Sequence, residues 1–296
     1  MVSTRERLNR RKNLGGERPP QISEENKLSK ENPTVVLGLY TGNYTSSTFT
    51  PNVLSMALDL ESNGVLDKMG FIWEESCRVD SNRNKIIYHF LNDTDADFLF
   101  ILDEDMIHHP QTPRLLMRYN LPIITGLYFR RNDNGLYSPQ IYKYWGQSED
   151  DRKGYGKDIN NTYESMVLEV HKFYSELGGG IPAHDGPLVL CNEEGEPLSS
   201  GVIRIDGAGF GFVLIRRDVV EKMDPPYLMD ELGLNGDLAF YKKAASYGIP
   251  IYCDLSIIAS HPHRMPIGIK KFSEFTHEIV ETAERYREAH ENPSRL

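Results

Sequence analysis

One stretch constrains the fold of this chain more than any other. Across Thr94–His109 an unbroken apolar run, Phe98 to Leu102, drives straight into three acids, Asp103, Glu104 and Asp105. A short apolar run bounded by polar residues suits a strand covered on both faces, as in the parallel sheet of an α/β protein. Such sheets bind ligands beyond the carboxyl ends of their strands, which is where the acids stand. If extended geometry persists one step further, Asp103 and Asp105 point to the same side. Two hard oxygen donors on one side make a seat for a divalent cation. The alternative is a cluster merely solvated at the strand end. Repulsion among three adjacent carboxylates beside a buried strand weighs against it unless a cation compensates.

The pattern on either side of this strand agrees with a helix-covered sheet. Thr34–Tyr40 reads as a first buried strand and Thr41–Thr45 as the turn that leaves it. Pro51 opens a helix-like stretch through Leu60, Gly70–Trp73 is a short strand, and Ser81–Leu91 is a helix with Ile86, Ile87, Phe90 and Leu91 facing inward. Strand, helix, strand, helix, strand is the order a parallel sheet requires. A helix near Thr112–Tyr119 and a strand at Pro122–Tyr128 follow. Residues 132–200 change character, with an edge strand expected at Pro139–Tyr144 and the remainder read as a long, partly mobile insertion. Strand-like runs at Val202–Ile205 and Phe212–Ile215 flank a glycine-rich turn. Helices from Arg217 and over Asp237–Tyr247 and a last strand at Pro250–Leu255 complete the pattern. Phe272, Phe275, Ile279, Ala283 and Tyr286 fall at steps of three and four, predicting an amphipathic C-terminal helix within 272–296. Residues 1–32 are polar and charged and read as a mobile tail, leaving 33–271 as one α/β domain.

Composition narrows the function classes. The formal net charge of −10 argues against a general nucleic-acid binder, whose footprint is basic. The three cysteines, Cys77, Cys191 and Cys253, are scattered and odd in number, so neither a disulfide framework nor a zinc site is indicated and a reducing, cytoplasmic setting is expected. No stretch approaches the roughly 20 apolar residues that span a bilayer, so no stable membrane insertion is expected.

Several segments together resemble the GT-A-fold nucleotide-sugar glycosyltransferases, of the compact kind common among bacterial and phage sequences, over roughly residues 33–263. Thr34–Thr41 resembles the first strand and nucleotide-contacting turn of that family, Arg83-Asn84 the pair ahead of its metal motif, and Asp103-Glu104-Asp105 its DxD motif. Asp206–Phe212 is similar to the glycine-containing acceptor-side segment. Gly236–Phe240 resembles the later Glu-Asp motif, and His261 the histidine that completes the metal site. The resemblance implies a GT-A fold with a single mainly parallel sheet flanked by helices. It implies transfer of a sugar from a UDP- or GDP-sugar to an acceptor hydroxyl, with Mn²⁺ or Mg²⁺ neutralising the diphosphate leaving group.

What the resemblance implies can be set residue by residue. Asp105 and His261 are the direct metal ligands, and Asp103 contacts the ribose or the metal, directly or through water; oxygen donors plus one imidazole suit Mn²⁺ better than Mg²⁺. His263 is the rival ligand, while His108 and His109 are read as ordinary loop residues. Thr41, Gly42, Arg83, Asn84, Asp103 and Glu104 form the nucleotide side, Arg83 by virtue of a guanidinium geometry that matches phosphate oxygens. Asp237 is the general base of an inverting transfer. Here the chain departs from the family, since Gly236 stands where a glutamate is usual; Asp230 or Glu231 are alternative bases. Gly209, Phe210, Tyr128 and Trp145 are placed on the acceptor side, where glycines allow close approach and aromatic rings stack on sugars. The acceptor class remains open among lipid, glycan, protein and a modified DNA base, the last being the one way nucleic acid would enter.

Two other readings stand beside this one. A nucleotidyltransferase shares the nucleotide and the metal-bound carboxylates, but Thr41–Ser47 holds no lysine or arginine for the usual signature loop. A non-catalytic nucleotide- or sugar-binding protein of the same fold is favoured by Gly236.

Overall fold

A computed structural model describes residues 32–41, 47–75, 79–131, 137–144, 163–177, 186–192, 198, 201–229, 236–262, 266–267, 280 and 284. The first elements are β1 (Val35–Thr41), α1 (Phe49–Ser62), β2 (Leu66–Glu75), α2 (Val79–Asp93), β3 (Phe98–Leu102), α3 (Thr112–Met117) and β4 (Ile123–Leu127). There follow β5 (Phe129–Arg131), β6 (Tyr137–Pro139), β7 (Ile141–Tyr144), β8 (Tyr163–Ser165), α4 (Val167–Glu176) and β9 (Leu188–Val189). The last are β10 (Val202–Ile205), β11 (Gly207–Ala208), β12 (Phe212–Arg216), α5 (Arg217–Lys222), α6 (Gly236–Ser246), β13 (Ile251–Ile258), β14 (His261–Pro262) and β15 (Pro266–Ile267).

The central sheet has eight strands in the order β10-β13-β4-β12-β3-β1-β2, with β9 also on β13. Strands β1, β2, β3, β4 and β13 run one way, and β12, β10 and β9 run against them. The fold is therefore mixed α/β on a mainly parallel sheet. β12 sits antiparallel between β3 and β4, so its first residues reach the same sheet edge as the carboxyl ends of its neighbours. Small two- and three-stranded sheets (β11-β7-β8, β5-β6 and β14-β15) stand apart from the central one.

Alternation along β3 assigns the two faces. Leu99 and Ile101 enter one core cluster with Ile86, Ile87 and Phe90 of α2, Val219 and Val220 of α5, Phe240 and Tyr241 of α6, and Phe173 and Tyr174 of α4. Phe98, Phe100 and Leu102 enter the other, with Val53, Met56 and Leu60 of α1 and Leu115 and Leu116 of α3. Burial on both faces is what the continuous apolar run predicts. Helix α1 stops where Asn63 returns its N–H to Asp59 O at 3.2 Å and Gly64 turns at a φ of 66°. Helix α2 is stopped by a neighbour: the Arg217 guanidinium, over the Phe90 ring at 4.3 Å, donates to Phe90 O at 2.8 Å, Thr94 O at 2.9 Å and Ala96 O at 2.7 Å. That cation satisfies the carbonyls a helix end leaves open.

The observed boundaries run past the expected ones at α1, α2, β2 and β13 and fall short of them at α3 and β4, while the expected strand Pro139–Tyr144 is broken at Gln140 into β6 and β7, which belong to different small sheets. The described part of residues 132–200 includes a helix that composition does not indicate, for α4 packs Val170, Phe173 and Tyr174 into the core. Its apolar positions do fall at helical spacing, but within one short segment of polar chain. All of the N-terminal tail but residue 32 lies outside the described residues. So does nearly all of 272–296, where Val280 packs against the larger core cluster. No helix among the described residues is long and apolar enough to cross a membrane.

Close contact between β1 and α2 is what brings the latter's first turns over the sheet edge. At Gly38 a Cβ would lie 2.7 Å from Ile86 Cγ2 and 3.0 Å from Leu99 Cδ1. Gly38→Val is accordingly expected to cost about 1–3 kcal/mol by overpacking, read as a lower urea midpoint at unchanged m.

Candidate functional site

Arg83 is where the carboxyl edge of the sheet comes together. Its side chain is only 3% exposed. It donates to Asp103 Oδ1 at 2.9 Å, to Asp237 Oδ1, and to the Tyr40 hydroxyl at 3.1 Å. Its guanidinium carbon lies 5.0 Å from the Tyr40 ring centre and 4.7 Å from that of Phe210. The other Asp237 oxygen accepts the Phe210 N–H at 3.1 Å. Four segments thus meet on one cation: the end of β1, the turn after β3, the turn before β12 and the start of α6. The β3 and β12 turns are joined directly as well, since Asp103 N–H donates to Gly211 O at 3.1 Å.

Two carboxylates around one guanidinium leave an excess negative charge in a half-buried place. Burial pushes Asp103 up to about 6; Arg83 pulls it down and Asp237 pushes it up again. Burial alone would lower Arg83, but Asp237 and Asp103 hold it well above its ordinary value, so it is a permanent cation. Burial, then Asp103, raises the Tyr40 phenol far above its usual range and keeps it neutral. The Asp103 and Asp237 side chains keep 20% and 24% exposure, so each presents an edge to solvent.

A second pair forms beside this. Ile107 and Ser260 make an antiparallel bridge, with N–H···O distances of 2.8 and 2.9 Å in the two directions. The bridge sets the turn after β3 against the chain leaving β13, and Asp105 Oδ2 meets His261 Nε2 at 2.8 Å. An oxygen and an imidazole donor side by side are donor types that fit a divalent ion such as Mn²⁺. Asp103 does not join them, because Arg83 holds it. Among the described residues no group of three His, Cys, Asp or Glu side chains could hold an ion unaided.

The remaining expected residues sort by where their polar atoms go. Thr41 ends β1 and is buried. Gly42, Trp145, Asp230, Glu231 and His263 lie outside the described residues. Glu104 is half-buried in the turn. The Asn84 amide is spent on protein backbone: it accepts from Tyr227 N–H at 2.8 Å and Leu228 N–H at 3.1 Å, and donates to Leu228 O at 2.6 Å. Gly209 and Gly211 make room for Tyr128 rather than for a sugar. A Cβ at either would lie 3.0 or 2.7 Å from Tyr128 Cζ, and the Gly211 N–H donates to the Tyr128 hydroxyl at 3.2 Å. Phe210 is fully buried beneath Arg83.

Two residues of the site escape a reading of the sequence. Tyr40 passes as one more apolar residue of a buried strand. Asp80 stands one turn before Arg83 on α2, a spacing that does signal a shared face, and its carboxylate packs against Gly236.

No protein-family model matches this sequence, and no curated protein matches it significantly. Among solved structures, A197 from STIV is similar at 15% identity and a TM-score of 0.43, over 78% of this chain and 86% of that one. GalNAc-T7, solved with UDP, GalNAc and Mn²⁺, is similar at 12% identity and a TM-score of 0.45, over 82% of this chain but 47% of that one. CMP:2-keto-3-deoxy-manno-octonic acid synthetase, complexed with CTP, gives 11% identity and a TM-score of 0.36 over 84% and 99%. At such distance these likenesses bear on neither activity nor ligand.

Behind the acidic turn lies His108, 1% exposed, its ring 4.7 Å from that of Phe212 and 6.1 Å from that of Phe100. Neither ring nitrogen has a hydrogen-bond partner among the described residues. Burial lowers its pKa to about 3, with Asp105 opposing. The folded state therefore binds fewer protons here than the unfolded chain, and stability present above pH ~6.5 is lost as pH falls toward 3. His108→Leu is expected to be at least as stable as wild type at pH 7 and clearly more stable at pH 4.5 in urea titrations. Equal acid sensitivity of the two proteins would refute this.

Proposed function

We propose that the chain is a metal-dependent glycosyltransferase of the GT-A type, moving a sugar from a nucleotide-diphosphate donor to an acceptor hydroxyl with inversion. The observation that carries the reading is the Asp103–Arg83–Asp237 bridge. It sets an acid of the strand-end cluster beside an acid more than a hundred residues downstream, as a reaction between a donor half and an acceptor half needs.

In this reading Asp105 and His261 hold Mn²⁺ or Mg²⁺, which when bound supplies Lewis-acid neutralisation of the diphosphate leaving group. Asp103 faces the ribose side from its place on Arg83, with Thr41, Gly42 and Glu104 lining the nucleotide. Arg83 is too buried to wrap a phosphate freely, and its part is to align the two carboxylates. Asp237 takes the proton of the acceptor hydroxyl as that oxygen attacks the anomeric carbon and the bond to the diphosphate breaks. Its Oδ2 meets one neutral N–H and, as a carboxylate oxygen, keeps acceptor capacity toward the solvent edge. Tyr128, Gly209 and Phe210 shape the acceptor side from beneath, by fixing the backbone that binds Asp237. A UDP- or GDP-sugar is the donor class. A cytoplasmic setting and Trp145 on the acceptor side belong to the same proposal.

A second reading, nucleotide binding without transfer, is supported by the same Asp237, since both of its oxygens already have protein donors.

Thermal shift with a panel of nucleotide sugars, with and without Mn²⁺, followed by turnover assays, separates the two. Asp105→Ala is expected to abolish the Mn²⁺-dependent shift; an undiminished shift in that variant removes the metal assignment. Asp237→Asn is expected to keep donor binding and lose turnover by about 10²–10⁴-fold. Wild-type turnover in Asp237→Asn leaves the base elsewhere.

A further inference from the structure

We infer that Asp80 is a positioning residue for Asp237, acting through the backbone at Gly236; its catalytic consequence rests on the glycosyl-transfer reading above. Asp80, Arg83 and Asn84 stand at i, i+3 and i+4 in the first turns of α2 and so share one helix face. All three are set against residues that precede or open α6, namely Tyr227 and Leu228, and Gly236 and Asp237. Asn84 binds the backbone of Tyr227 and Leu228, Arg83 takes the Asp237 carboxylate, and Asp80 lies on Gly236.

The contact at Gly236 is a steric complement. A Cβ at this position would come within 2.6 Å of Asp80 Cγ and 3.0 Å of its Oδ2. No side chain fits at 236 while Asp80 stays where it is. Gly236 also opens an eleven-residue helix, α6, whose first N–H groups favour a nearby carboxylate. The Asp80 carboxylate thus lies against the bare backbone at which α6 begins, and Asp237 is the next residue along. Its backbone is set by Asp80 against Gly236, and its side chain by Arg83 and the Phe210 N–H. Moving the start of α6 misdirects Asp237 but leaves Asp105 and His261, which hang on the Ile107–Ser260 bridge, untouched.

This separates Asp80 from a residue that merely stabilises the fold. Steady-state kinetics on the full chain, with whichever UDP- or GDP-sugar it turns over, should show Asp80→Ala and Gly236→Ala each lowering kcat about tenfold with donor KM within about twofold. The double variant should be no worse than either single one, because both remove the same contact. Asp80→Asn, which fills the same space, should recover most of the lost kcat. Wild-type kcat in Gly236→Ala, a loss shared equally by kcat and KM, or additive losses in the double variant would overturn the role. If wild-type protein turns over no nucleotide sugar, the glycosyl-transfer reading fails instead. The melting temperatures of wild type, the two single alanine variants and the double variant then decide the contact: strong non-additivity supports it, and additive shifts overturn it.

Discussion

A buried guanidinium must be matched by anions, and nearly everything at the carboxyl edge of this sheet follows from how Arg83 meets that demand. Removing a cation from water costs several kcal/mol, and Arg83 recovers it from two carboxylates, a phenol oxygen and two aromatic faces. The arrangement over-compensates. Two anions share one cation, and the surplus appears on Asp103, which burial and Asp237 raise to about 6. The charge that closes the fold at this edge is thus also the charge that tunes its most perturbed acid. An Arg-to-Lys exchange would not preserve it, because a point charge cannot fork to both carboxylates while stacking on two rings.

The fold was largely legible in the sequence because its core strands are unambiguous. Phe98–Leu102 is a strand with the very limits its apolar run implies, and β1, β4 and β12 follow the same logic of burial on both faces. What the periodicity could not reveal was partnership. Val202–Ile205 and Phe212–Ile215 read as two strands around a turn, yet β10 pairs with β13 while β12 inserts between β3 and β4. Helix α4 was hidden by the polar stretches around it.

The site was legible by residue type and less so by role. Asp103, Asp105, His261, Arg83 and Asp237 do gather at one edge, but as an Asp103–Arg83–Asp237 bridge and a separate Asp105–His261 pair rather than a three-ligand cluster with an arginine beside it. Sequence order carries no information on which of two neighbouring acids a buried arginine will claim. Gly209 and Gly211 show the same limit. Small residues signal a close approach, and only the fold reveals that the visitor is Tyr128. Asn84 looks available for a ligand until Tyr227 and Leu228 are found to occupy its amide.

The acidic turn is tied down from both sides. Asn52 of α1 exchanges hydrogen bonds with the His108 backbone, donating to its carbonyl at 2.7 Å and accepting its N–H at 2.9 Å, while Ile107 is bridged to Ser260. A loop held at successive residues by a helix on one flank and a strand extension on the other has little conformational freedom left to surrender. A ligand that bound at Asp105 and His261, as proposed above, would find the backbone beside them already held, so the entropy lost in ordering this half on association would be small. Selectivity on that side would then come from shape and charge, and not from a loop that adapts to its guest.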